Sequence, residues 1–144
     1  MTETTVKDFT LEEANATIPY VPRIVEDIVA EYETWRDCIF RYEEVAAESK
    51  ADEGETEEQA RLRVEVDSIA KRINVYIDEL SRVGCTFKGF DGGLVDFRAR
   101  REGRNICLCW RLEEPEIRYW HELEAGFAGR QPVTPDFRTD EVVE

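Results

Sequence analysis

Apolar residues recur three and four positions apart over two long stretches of the chain. Val25, Ile28, Tyr32, Trp35, Ile39, Tyr42 and Ala46 form one seam; Leu62, Val66, Ile69, Ile73, Tyr76, Leu80 and Val83 form another. That spacing keeps apolar side chains on one face of a helix. Each predicted helix has about 25 residues and is roughly 38 Å long, at 1.5 Å per residue. Between them lies ESKADEGETEEQ, residues 48–59, which is acidic, contains Gly54 and has no apolar side chain larger than that of Ala51. It predicts an exposed connection. Two matched seams joined by a polar connection predict an antiparallel helical hairpin with coiled-coil-like packing. Such a pair cannot bury Trp35 and the seam's three tyrosines unaided. The C-terminal part, a second copy of the chain, or both must cover them.

Local signals set the edges of this region. Thr10-Leu11-Glu12-Glu13 reads as a capping box that opens a short helix ending before Pro19, and Pro22 suits the first turn of the next helix. The C-terminal third changes period. Glycines at 84, 89, 92 and 93 break the helix; LVDFRAR and NICLCWRL then alternate around Glu102-Gly103. With those two residues as the turn, Ala99 faces Ile106, Phe97 faces Leu108 and Val95 faces Trp110, so one face is wholly apolar. The other carries Asp96, Arg98 and Arg100 against Cys109, Cys107 and Asn105, with Arg111 near Asp96. EEPE, residues 113–116, reads as a second turn, and Ile117 to His121 as a third strand. Continuing the count places Tyr119 opposite Trp110 and His121 opposite Leu108, on the apolar face. The expected fold is α+β: one domain over residues 1–144, with a long antiparallel helical hairpin (10–83) packed on a small antiparallel sheet of about three strands (84–132). Residues 133–144 read as a tail, disordered at its end. The exposed edges of the sheet and the surplus apolar surface point to a homodimer.

The net charge of −14 comes from 33 acidic residues against 15 arginines and 4 lysines. Two sources fit: a halophile, whose salt screens surface charge, or a high-GC genome in which arginine replaces lysine. Wholesale nucleic-acid binding is disfavoured. No apolar run approaches the roughly 20 residues needed to span a bilayer, and MTETTVKDFT lacks the pattern of a signal peptide. A cytoplasmic chain without membrane attachment is expected. Cys38, Cys85, Cys107 and Cys109 then read as thiols, and the C-x-C spacing of the last two is not the C-x-x-C of zinc and redox motifs.

The stretches FDGGLVDF (90–97), Gly103-Arg104, LCW (108–110), YWHELEAGFAGRQP (119–132) and EEANATIPYVPRI (12–24) together resemble an uncharacterised prokaryotic family catalogued as domain of unknown function 2203. The likeness covers nearly the whole chain except the acidic connection and the tail. It implies a small protein whose activity is unassigned. Arg98 stands where the family commonly has proline after Asp-Phe, and Glu113 where it has glycine before Glu114; the second departure bears on the turn.

His121, the only histidine, is the natural centre for any chemistry. With Glu114 and Glu122 it could ligate one divalent ion, iron, manganese or zinc. With Asp96 and Glu122 it could act as an acid or base. Arg130, Arg98 and Arg111 are candidate anion binders. Against this, H-E is not H-E-x-x-H, and on a strand His121 and Glu122 point to opposite faces. The simpler readings are a buried histidine with one ring nitrogen held by a carboxylate from a helix, an Asp96–arginine ion pair, and an Arg130 that pins its loop to a carboxylate or to carbonyls. GFAGRQP lacks the lysine and hydroxyl of a phosphate-binding loop. The favoured function is therefore a non-enzymatic interaction or adaptor protein with a protein partner and no cofactor. The alternative is a small metal-dependent or acid–base enzyme centred on His121, with Arg130 holding an anionic substrate.

Overall fold

The computed structural model describes residues 7–49 and 54–142. Three helices precede a sheet: α1 (Leu11–Ala16), α2 (Val21–Glu48) and α3 (Glu57–Val83). The strands follow as β1 (Thr86–Gly89), β2 (Leu94–Arg101), β3 (Arg104–Arg111), β4 (Tyr119–Glu122) and β5 (Gln131–Pro132). They form one antiparallel sheet in chain order, with five strands where about three were expected. The two additions are short: β1 lies in the glycine-rich entry, and β5 pairs only two residues with β4.

The helix boundaries have local causes. At α1 the Thr10 hydroxyl accepts the Glu13 N–H at 3.1 Å, and the Glu13 carboxylate accepts the Thr10 N–H at 2.9 Å. Thr56 and Gln59 repeat the arrangement at 3.0 and 2.9 Å, so α3 begins inside the stretch read as a connection. Gly84, at φ 109, ends α3 in the left-handed conformation that glycine adopts without strain. The paired seams then pack α2 on α3. Ion pairs such as Arg72–Glu31 at 2.7 Å and Arg41–Glu58 at 2.9 Å cross the exposed side of that contact.

The β2–β3 hairpin has the register that counting predicts: Val95 pairs with Trp110, Phe97 with Leu108 and Ala99 with Ile106. Its turn places Glu102 at φ 53 and Gly103 at φ 78, the positive pair of a two-residue hairpin. The apolar face meets the hairpin helices in one core of Val25, Ile28, Ile69, Leu80, Val95, Phe97, Leu108 and Trp110. Beyond the short β1, the free edge of β2 is covered by other segments. Phe9 N–H donates to the Arg98 carbonyl and Asp140 N–H to the Arg100 carbonyl, each at 2.7 Å. Residues 133–142, expected as a tail, pack back on the sheet, where Phe137 is buried with its ring centroid 5.7 Å from that of Trp120.

The register of β4 differs from the count by one residue. Tyr119 pairs with Cys109, Trp120 with Leu108 and His121 with Cys107. The cause is the connection. Strand pairing stops at Arg111 and resumes only at Tyr119, and Ile117 leaves the ladder to donate its N–H to the Asn15 side chain at 2.8 Å. The slip puts Trp120 in the apolar core and His121 on the far face, which removes a ring with two polar nitrogens from hydrocarbon.

Helix α2 rests directly on backbone at Gly93. A β-carbon there would lie 2.5 Å from Val25 Cγ1, at a φ of 64. Gly93→Ala should therefore cost about 2–4 kcal/mol, through strain and overpacking together. Urea denaturation measures it; a loss below about 1 kcal/mol would mean that α2 yields at this point without cost.

Candidate functional site

The far face of the sheet, turned away from the helices, would ordinarily be a solvated polar surface. Here it is closed. Asp96, Cys107, Cys109 and His121 are all buried, His121 at 2 % relative exposure. The strands supply them by alternation: Asp96 from β2 opposite Cys109, and Cys107 from β3 between Arg98 and His121. The segment after β4 turns sharply at Gly126 (φ 62), makes a single helical turn at Phe127–Gly129 and returns as β5. That path brings Arg130 over Cys109.

His121 is held at both nitrogens. Nδ1 lies 2.7 Å from the Glu122 carbonyl oxygen, and Nε2 lies 3.2 Å from each Asp96 carboxylate oxygen. A carbonyl can only accept, so Nδ1 carries a hydrogen. Nε2 faces the Asp96 carboxyl group across its own hydrogen bond. The holding carboxylate comes from a strand rather than from a helix. Cys107 completes the group: one ligating atom each from Asp96, Cys107 and His121 lies within 4.8 Å of the others. Burial, with the Asp96 charge adding to it, pushes the Cys107 thiol up to about 11, so at neutral pH it stays protonated and is no nucleophile.

The other candidate residues sit apart from this group. Glu122 faces away from His121 and pairs with Arg104 at 2.8 Å. Glu114 binds Arg130 at 2.6 Å and accepts the Arg111 N–H at 2.6 Å. Arg130 also donates from Nε to Cys109 Sγ at 3.3 Å and from Nη2 to the Cys109 carbonyl at 3.2 Å, with its guanidinium 4.2 Å from the Tyr119 ring centroid. A carboxylate and a carbonyl thus both hold Arg130, which leaves little of its fork for an anion. Arg111 turns toward Glu113 at 3.7 Å and over the Phe127 ring, not toward Asp96. Arg98 is half-buried, and its Nε is the one buried side-chain nitrogen or oxygen without a partner among the described residues. The arrangement brings Asp96 and His121 together, leaves Glu114 and Glu122 elsewhere, and adds Cys107. Reading from sequence missed Cys107 because the slipped register set it beside the wrong neighbour.

A family model described as an uncharacterized conserved protein, DUF2203, matches residues 7–133. The chain belongs to this family. No curated protein and no solved structure matches it. The stretches that carry the DUF2203 likeness converge on the far face: FDGGLVDF brings Asp96, LCW brings Cys109, and YWHELEAGFAGRQP brings His121 and Arg130. Among the described residues, no helix is long and apolar enough to cross a membrane.

Cys85, where α3 gives way to β1, offers a separate check on burial. Its thiol is pushed up to about 12 by burial, from 9.0. Between those values the unfolded chain releases a proton that the folded chain keeps. Stability is therefore complete below pH 9 and falls as pH rises, by up to about 1.4 kcal/mol per unit. Denaturation midpoints from pH 8 to 11 should fall less steeply for Cys85→Ala than for the parent chain; parallel slopes would mean that the thiol ionises freely in the fold.

Proposed function

We propose that the chain is a non-enzymatic interaction protein of the cytoplasm, and that its helical hairpin receives a basic, amphipathic helical segment of a partner protein. The observation that supports this reading is a continuous groove along α2. One hollow is lined by Val29, Tyr32, Glu33, Arg36, Phe90, Asp91 and Gly92; the next, sharing Glu33 and Arg36, is lined by Asp37 and Phe40. Tyr32 and Phe90 stack at 4.1 Å to form an aromatic floor, and Phe40 is 64 % exposed at the far end. The groove leads onto an arm that the sheet does not reach. From Val29 to Glu44 no residue of α2 is fully buried; Trp35 and Cys38 pack only in part against the core, and Ile39 and Tyr42 stay half-exposed. An apolar stripe of this kind on a helix pair is a seat for another helix.

Charge selects the occupant. Residues 35–68 hold eleven acidic and five basic side chains, and the groove itself is edged by Glu33, Asp37 and Asp91 against Arg36. A basic helix complements that surface. A second copy of the chain, the occupant expected from the sequence, brings a like-charged arm and must work against repulsion that only salt relieves. An enzymatic reading gains less from the geometry, since His121 is enclosed, Arg130 is engaged and Glu122 points away.

A photo-cross-linking residue in place of Asp37, used in cells of the chain's own source, tests the proposal. A discrete adduct to a lysine- or arginine-rich segment of another protein is expected. It should fall at least tenfold with Phe40→Lys, which places a repelling charge in the groove, and persist with Leu123→Lys, a control at an exposed apolar residue elsewhere. Adducts only between copies of the chain would make the surface a homodimer contact. No adduct, or one indifferent to Phe40→Lys, would overturn the reading.

A further inference from the structure

We propose that Asp96, Cys107 and His121 form a buried site for a thiophilic divalent cation of the zinc class. The proposal is independent of the groove on α2. It rests on the donor set and its geometry. One carboxylate, one thiolate and one imidazole are a ligand set that zinc accepts. A tetrahedral ion with bonds of about 2.0–2.3 Å holds its ligand atoms about 3.3–3.6 Å apart. The His121 Nε2 and Asp96 oxygens are already 3.2 Å apart, and the Cys107 sulfur completes a triangle whose sides are all within 4.8 Å.

The histidine is set in the orientation that ligation requires. Its Nδ1–H donates to the Glu122 carbonyl at 2.7 Å, which fixes the ring and directs Nε2 at the other two groups. Ligating histidines characteristically make this second hydrogen bond. Loading would displace the Cys107 thiol proton to solvent. The thiolate and carboxylate then balance the charge of the ion. Arg98, the direct cross-strand neighbour of Cys107, carries a charge that favours this thiolate. Cys109 is not counted as a ligand, because its sulfur already accepts from Arg130.

Three protein ligands leave the fourth tetrahedral position to a water molecule, and the burial of all three gives the ion a structural task. All three ligands are buried, on strands β2, β3 and β4, so one ion would staple three strands across the far face. Cobalt(II) is the probe. Added to the full chain after chelator treatment, one equivalent should produce the near-ultraviolet absorption of a thiolate-to-cobalt transition and raise the melting temperature. Zinc should displace it. The absorption should vanish in Cys107→Ser, and His121→Ala should weaken binding at least tenfold, while Cys109→Ser keeps both signals. Circular dichroism checks that each variant is folded, and the parent chain alone suffices for refutation. If folded parent protein shows no thiolate–cobalt absorption, or if Cys107→Ser binds cobalt with the same spectrum, the proposal is overturned, the second outcome assigning the thiolate to another of the free cysteines.

Discussion

Four hydrogen bonds meet at Glu114. Its carboxylate accepts from the Arg111 N–H and from Arg130, its carbonyl accepts the indole N–H of Trp110 at 2.8 Å, and its own N–H donates to the Arg111 carbonyl at 2.9 Å. One residue thereby ties down the end of β3, the largest fully buried ring of the core, and the loop that returns after β4. Strand β4 is strung between these anchors. With only four residues, it is too short for its own ladder to hold a register against competitors. Because the anchors hold both of its approaches, Trp120 is delivered to the core and His121 to Asp96. Burial helps the anchor: Arg130 and Glu114 are both largely shielded from water, where a charged hydrogen bond is stronger than at an open surface.

The molecule divides its labour between two regions of different character. The sheet is apolar toward the helices, and on the other side its centre buries Asp96, Cys107, Cys109 and His121. The hairpin is the reverse. Apart from Val45 and Gln59, its buried residues lie in the first turns of α2 and in the middle and last turns of α3, and the rest is a two-helix arm with cross-helix ion pairs that are individually weak. A chain this acidic can keep such an arm apart from other acidic surfaces while its apolar stripe stays available.

Much of this architecture was legible in the order of residues, and particular positions show where legibility stopped. The seams through Tyr32 and Tyr76 located both long helices because a 3.6-residue period leaves a sustained trace. The β2–β3 register followed from Glu102-Gly103 because a two-residue turn admits only one count. Thr56 and Gln59 were equally readable as a helix start, but they lay inside an acidic run whose composition suggested only a connection. The register of β4 was not readable. The connection from Leu112 to Arg118 has no fixed turn geometry, and the hydrogen bonds that decide its length come from Asn15 and Arg130, distant in sequence. Cys107 was hidden by the same slip. The polar face was identified with its cysteines, and the histidine that belongs beside them was assigned to the other side.

The covering of the β2 edge has a consequence for how the chain reaches its fold. Phe9 and Asp140 dock at neighbouring positions of one strand, Arg98 and Arg100, and Leu11 N–H donates to the Thr139 hydroxyl at 2.9 Å. Asp140 also accepts the N–H groups of Glu102 and Gly103 at 3.0 and 2.8 Å. Segments 128 to 131 residues apart are therefore zipped side by side along a single edge. Local events, the helical hairpin and the β2–β3 turn, can form early. The edge closes only when both distant segments arrive, a step dominated by the entropy of bringing far-separated parts together. Until then β2 presents unpaired backbone. The interval before closure is when neighbouring unfinished chains could pair by their strands, and the dense negative charge keeps them apart during that time.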